Sequence, residues 1–108
     1  MAELENDVPD EAVIDVRPEA MGVVITVSGH VDASNAHSLR TAVASAAKER
    51  PHRIVFDVSR LEFIDSTGLA VLLNIASTVD VVLRNPSPAV RRVVELSGLT
   101  TILSFETG

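Results

Sequence analysis

The chain has 108 residues, with 15 acidic and nine basic side chains, three Phe, and no Cys, Trp or Tyr. This length indicates one domain, and the lack of cysteine excludes disulfides, thiolate nucleophiles and cysteine-ligated metals. With no basic patch and few aromatic platforms for bases, we expect no direct nucleic-acid partner. Five of the acids fall within residues 1–11, which predicts a flexible acidic N-terminal tail ahead of a single domain at 12–108.

Two strands are predicted at the start of the domain. Residues 12–17 (AVIDVR) and 21–28 (MGVVITVS) are rich in β-branched side chains. The turn-like residues 18–20 (PEA) lie between them. The two strands are therefore expected to form an antiparallel hairpin.

A helix follows Gly29. Apolar residues recur at helical spacing between Ala36 and Ala47. Asp32 and Ser34 are both predicted N-caps, and Pro51 is expected to stop the helix.

The next segment predicts a strand, a helix and a strand. Residues 53–57 (RIVFD) and 79–83 (VDVVL) are compact apolar runs typical of buried strands. Between them, residues 69–76 (LAVLLNIA) are apolar on nearly every side of a helix, so that helix is expected to be widely buried.

The last segment predicts a third helix and a short strand. Ser87 is placed as an N-cap with Pro88 in the first turn, and Gly98 stands where a C-terminal glycine belongs. Residues 101–105 are a short extended candidate. The order β-β-α-β-α-β-α-β predicts an α/β fold, with a mixed, mostly parallel sheet of four to five strands and helices packed on it.

The N-terminus carries acids rather than the basic and apolar regions of a signal peptide. The longest apolar run, residues 69–76, is much shorter than the roughly 20 residues that cross a bilayer. These features predict a cytoplasmic protein with no membrane span.

The polar stretch Asp65-Ser66-Thr67-Gly68 separates two apolar runs, and catalytic interpretations of it fail. A hydrolase nucleophile needs Gly two positions before the serine, where this chain has Ile64. A second copy for a carboxylate dyad is missing, and the Gly-x4-Gly-Lys spacing of a phosphate loop does not occur. No His/Asp/Glu cluster has metal-ligand spacing. We therefore expect no enzyme, no cofactor and no metal.

The same stretch is suited to begin a helix. Asp65 is predicted to cap it by accepting backbone N–H groups from Thr67 or Gly68. Ser66 would then lie on a positive helix end at the carboxyl edge of the sheet, where α/β folds place their sites. Small neighbours leave room for another protein's active site, so Ser66 is a candidate phosphoacceptor, and Gly68 is expected to keep the approach open.

Four segments resemble the STAS domain family, specifically the stand-alone bacterial anti-sigma factor antagonists. Residues 57–69 (DVSRLEFIDSTGL) match the family signature Asp-x-Ser-x-apolar-x-Phe-apolar-Asp-Ser-Ser/Thr-Gly-Leu. Residues 29–32 (GHVD), 85–90 (NPSPAV) and 96–99 (LSGL) resemble the elements around the first and third helices.

The resemblance implies a binding switch. The unmodified protein would bind an anti-sigma factor that is also a serine kinase, and so release a sigma factor. Phosphorylation of Ser66 would end binding, and a serine phosphatase would restore it. The alternative is a non-switching STAS subunit of a larger assembly, such as a signalling scaffold or a lipid-transport ATPase accessory.

The resemblance also implies where the partner binds, and in the length of its second helix this chain departs from the family. The expected partner-binding residues are Asp32, Ser34, Asp65, Ser66, Thr67, Gly68 and Leu69. Because few residues separate Leu69 from the strand at Val79, the second helix is predicted to be shorter than in the family. A monomer or weak dimer is expected.

Overall fold

The computed structural model describes residues 12–20 and 22–106. Its six strands are β1 (Val13–Glu19), β2 (Gly22–Val31), β3 (Arg53–Asp57), β4 (Leu61–Ile64), β5 (Asp80–Arg84) and β6 (Ser104–Glu106). Its three helices are α1 (Ala36–Ala47), α2 (Ser66–Ala76) and α3 (Pro88–Leu96). The predicted acidic tail at 1–11 lies outside the described residues.

The strands form one mixed sheet in the order β1-β2-β3-β5-β6, with β4 paired to the end of β2. β1 and β2 are antiparallel, which confirms the predicted hairpin. The other pairs are parallel, because each return passes through a helix or a long connection. The expected mostly parallel α/β fold is therefore confirmed.

The strand β4 was missed in the sequence, so the described order is β-β-α-β-β-α-β-α-β and the sheet has six strands rather than four to five. Its buried residues, Leu61 and Ile64, are three apart, with exposed residues between them. This spacing lacks the period of two that marks a half-buried strand. β4 runs parallel to residues 29–31, after a register shift beside Gly29, whose φ is 88°.

All three helices pack on one face of the sheet. The main core joins Leu39 of α1, Leu72 of α2 and Val94 of α3 to Ile25 and Phe56 of the sheet. The opposite face carries a smaller cluster of Val24, Val55 and Val82. Charged side chains flank these valines, with ion pairs from Arg53 to Asp80 and from Arg84 to Glu19 and Glu106.

The predicted start of α3 is confirmed, whereas the predicted N-caps of α1 are wrong. Ser87 caps α3 by accepting the N–H of Val90, with Pro88 as the first helical residue. α2 has 11 residues and starts at Ser66. That this helix is shorter than in other members of the family stays a prediction. α1 begins after Asn35, which makes no side-chain cap bond, so Asp32 and Ser34 are not its N-caps. Within 12–20 and 22–106, no helix is long and apolar enough to cross a membrane.

Candidate functional site

The candidate site lies where β2 and β4 end side by side. Val31 pairs with Ile64 in the parallel register, so the residues that follow these two strands leave the sheet at the same edge. The N–H of Asp65 donates to the carbonyl of Val31 at 3.1 Å. This bond holds the start of α2 against the loop that follows β2, and it brings the two polar segments of the sequence together.

Asp65 is the N-cap of α2, as predicted. Its Oδ1 accepts the backbone N–H of Thr67 at 2.9 Å and that of Gly68 at 3.2 Å. The hydroxyl of Thr67 donates to the same oxygen. One carboxylate thus satisfies two of the N–H groups that a helix start leaves without intrahelical partners.

These hydrogen bonds keep Asp65 ionised. The Thr67 hydroxyl holds the pKa of Asp65 below its ordinary value, and the N–H groups of Gly68, Thr67 and Ala33 act in the same direction. Partial burial of the carboxylate opposes them. Because Ala33 belongs to the loop after β2, the carboxylate of Asp65 is stabilised both by that loop and by the start of α2.

Loss of this cap is expected to destabilise the domain in a pH-dependent way. Asp65→Ala should lower the free energy of unfolding by about 0.5–2 kcal/mol at pH 7. Because the pKa of Asp65 is lower in the folded state, its ionised carboxylate stabilises the fold at pH values above the unfolded pKa of about 3.9. This stabilisation is lost as the pH falls through the folded pKa. Urea denaturation of wild type and Asp65→Asn, which keeps a capping oxygen without the charge, should show a wild-type advantage at pH 7 that shrinks at pH 3. An advantage independent of pH would contradict this assignment.

The loop after β2 is braced by its own side chains. Asp32 Oδ1 accepts the N–H of Ser34 at 3.0 Å and its hydroxyl at 2.6 Å. Asn35 accepts the N–H of Asp32 and donates to the carbonyl of His30, both at 2.9 Å. The polar groups of Asp32 and Ser34 therefore shape the loop, with Ser34 on the exposed surface and Asp32 half-buried.

The three hydroxyl groups at this edge differ in their partners. Those of Ser34 and Thr67 donate to the carboxylates of Asp32 and Asp65. The Ser66 hydroxyl makes no side-chain hydrogen bond with the described residues, and Ser66 is exposed. Of these three hydroxyls, that of Ser66 is the one without a side-chain partner among the described residues. In the part of the chain that the structure describes, no group of three or more His, Asp or Glu could hold a metal ion.

Gly68 and Leu69 lie beneath the surface rather than on it. Both are buried. A Cβ added to Gly68 would come within 2.6 Å of Ile64 Cγ1 and 2.8 Å of Val31 Cγ1. The expectation that Gly68 keeps the surface open is corrected: glycine is needed there because α2 starts directly on β2 and β4. Gly68 and Leu69 can support a partner surface formed by Ser66 and Thr67, which are exposed.

One neighbouring feature was missed in the sequence. His30 and Phe63 pair across β2 and β4, with ring centroids 6.0 Å apart in an edge-on arrangement. The Nε2 of His30 lies 3.1 Å from a Glu62 carboxylate oxygen, and Phe63 is 44% exposed. The available signal was Phe63, the Phe of the family signature, which stands two positions before Asp65 and is one of three Phe in the chain.

The family profile described as Mlab, STAS domain, matches residues 14–104. This chain belongs to the STAS domain family. The match includes β4, the loop after β2 and the whole of α2, and therefore every residue of the candidate site.

Relatives of this STAS domain include named anti-sigma factor antagonists. The candidate antagonist BtrV of Bordetella bronchiseptica is 33% identical over 85 residues, which cover 74% of this chain and 73% of BtrV. An antagonist from Mycobacterium paratuberculosis superposes with a TM-score of 0.84 at 27% identity, covering 92% of this chain and 88% of the other.

Two solved structures of one further antagonist differ in phosphorylation. Unphosphorylated SpoIIAA matches this STAS domain with a TM-score of 0.72 at 27% identity, covering 88% of this chain and 89% of SpoIIAA. The phosphorylated Bacillus protein matches with a TM-score of 0.65 at 26% identity, covering 88% and 92%. Both forms of SpoIIAA therefore share the fold described above.

Proposed function

We propose that this STAS domain is an anti-sigma factor antagonist, that its partner is an anti-sigma factor with serine kinase activity, and that Ser66 is the phosphoacceptor. The observation that carries the proposal is the difference in hydrogen bonding between the hydroxyls of Ser66 and Thr67. Thr67, next to Ser66 in sequence, donates its hydroxyl to Asp65, whereas the hydroxyl of Ser66 is exposed and not engaged by the described side chains. A kinase that reaches this edge meets Ser66 as the accessible nucleophile.

The local electrostatics favour a modification that changes binding without unfolding the domain. A phosphate adds about −1.5 to −2 charges near pH 7, and the helix dipole at the start of α2 favours an anion. The N–H groups of Thr67 and Gly68 are already taken by Asp65, so the new dianion would remain on the surface, beside a carboxylate. That position leaves the core intact and changes the charge that a partner meets.

The same geometry supports reversal. A phosphate on an exposed first-turn residue is as accessible to a phosphatase as the serine was to the kinase. We propose that a serine phosphatase restores the binding form. That SpoIIAA keeps one fold in both phosphorylation states supports a switch that needs no refolding.

Phosphorylation by an anti-sigma factor tests this proposal directly. The full chain is incubated with ATP and each serine-kinase anti-sigma factor of its own organism, and the phosphate is located by mass spectrometry. We expect a single phosphate on Ser66, and none on Ser66→Ala. Phosphate on Thr67 or Ser34 instead, or no phosphate with every kinase, would contradict the proposal and favour a non-switching STAS subunit.

A further inference from the structure

A groove runs between α1 and α2 on the face of the molecule that begins at Ser66. Its volume is about 320 Å³. Val43, Val71 and Ile75 supply apolar walls, and the exposed residues Ala44 and Ala70 lie at its lips. Because both lip residues are alanines, a partner's backbone can approach closely enough to place a large side chain between the helices.

The groove is continuous with the phosphoacceptor. Ser66, Ala70 and Asn74 are spaced four residues apart on α2, and all three are exposed. This spacing places them along one face of the helix, with about 6 Å between successive members. Ala70 and Asn74 line the groove, so a segment bound there would end within about one helical turn of Ser66.

The groove carries positive charge in an acidic protein. The chain has a formal net charge of −6, yet α1 and α2 contain no acidic residue. Arg40 lies at the rim, is exposed, and forms no ion pair with the part of the chain that the structure describes. Unlike Arg84 or Arg91, which pair with carboxylates of this chain, Arg40 is available to a carboxylate from outside.

We infer that this groove binds a segment of the anti-sigma factor that carries a large apolar side chain next to an Asp or Glu. The inference rests on the proposed function and names the chemistry of its partner. The apolar side chain enters between Ala44 and Ala70, and the acidic residue pairs with Arg40. Opposite charges across an interface favour association and select the partner.

This arrangement also connects the groove to the switch. A dianion on Ser66 stands about one turn from the groove and repels an acidic segment, in addition to any direct clash at Ser66. The effect of phosphorylation on affinity should therefore be larger at low ionic strength, because added salt weakens the repulsion between charges exposed to solvent.

Two matched pairs of variants test the groove, using the full chain and the anti-sigma factor of its organism that binds it. Arg40→Glu should weaken binding by about tenfold or more, a change of about 1.4 kcal/mol. Lys48→Glu makes the same charge change just beyond α1 and outside the groove, and should change affinity by less than about twofold. Ala44→Trp should block the groove and weaken binding about tenfold, whereas Ser45→Trp, exposed and one residue away, should not. Circular dichroism and thermal unfolding of each variant verify that the fold is kept.

A cross-link identifies the occupant. Asn74→photo-leucine is irradiated in the complex, and the linked peptide is sequenced. We expect a peptide of the anti-sigma factor with an acidic residue beside Leu, Ile, Met or Phe. A basic peptide, or a link to residues 1–11 of the same chain, would overturn the inference.

The outcomes separate this inference from the proposed function. If Ser66 is phosphorylated and controls binding but both groove variants bind like wild type, the groove inference is wrong and the proposed function stands. If the groove variants lose binding but Ser66 is never phosphorylated, the groove inference holds and the switch is wrong. If wild type binds no anti-sigma factor of its organism, both are overturned.

Discussion

Ser66→Glu is expected to lower the affinity for the anti-sigma factor by about tenfold or more, whereas Ser66→Ala should keep it within about twofold. The carboxylate of a glutamate at position 66 would stand beside the ionised Asp65, on a surface that we propose the partner covers. Excluding water from two adjacent carboxylates costs free energy in the complex and not in the free protein. Alanine removes a hydroxyl that makes no side-chain bond within the described residues.

The matched control for this substitution is Ser77→Glu. Ser77 is exposed and lies at the opposite end of α2. Ser77→Glu therefore adds the same charge to the same helix, away from Ser66. Affinities measured by biolayer interferometry should separate the two glutamate variants. Equal losses for both would mean that total charge, rather than charge at the start of α2, governs binding.

Gly68→Ala is expected to destabilise the domain, although alanine is the better helix former. The added methyl group would lie within 3.0 Å of side-chain atoms of both Ile64 and Val31. Overpacking of this kind costs about 1–3 kcal/mol, against a gain of about 1 kcal/mol in helix propensity. Gly68→Val removes the propensity gain and adds volume, so it should cost about 3 kcal/mol and lower Tm by more than about 10 °C.

A double-mutant cycle isolates the cause. In a Val31→Ala background, one of the contacting methyl groups is gone, and Gly68→Ala should cost less than it does in wild type by about 0.5–1 kcal/mol. Gly98 provides the contrast, since its φ is +75° and an added Cβ meets nothing within 4 Å. Gly98→Ala should therefore show no such coupling to Val31, whatever its own backbone cost.

Features set by nearby residues could be predicted from the sequence. The capping of α2 by Asp65 depends on an oxygen and two N–H groups within three residues, and the sequence contains all of them. The same holds for Ser87 and Pro88 at the start of α3. The hairpin of β1 and β2 also depends on adjacent strands and a short turn.

Features set by packing between distant segments could not be predicted from the sequence. The requirement for glycine at 68 comes from Ile64 and also from Val31. Val31 lies 37 positions earlier in the chain and reaches α2 only because β2 and β4 end together. The buried residues of the strand β4 are three positions apart, so the period of two that predicts a strand is absent, and its pairing with the end of β2 joins residues distant in the chain. Asp32 and Ser34 have the composition of helix caps, but they bond to each other instead. The groove beside Arg40 exists only once α1 and α2 are packed together.

The central claim is that phosphate on Ser66 controls binding to an anti-sigma factor. The most direct measurement is isothermal titration calorimetry of that partner with the unmodified protein and with protein fully phosphorylated on Ser66, at one ionic strength. We predict about a hundredfold weaker binding for the phosphorylated form, equal to about 2.7 kcal/mol, and full recovery after treatment with a serine phosphatase. Dissociation constants that agree within about twofold would contradict the account.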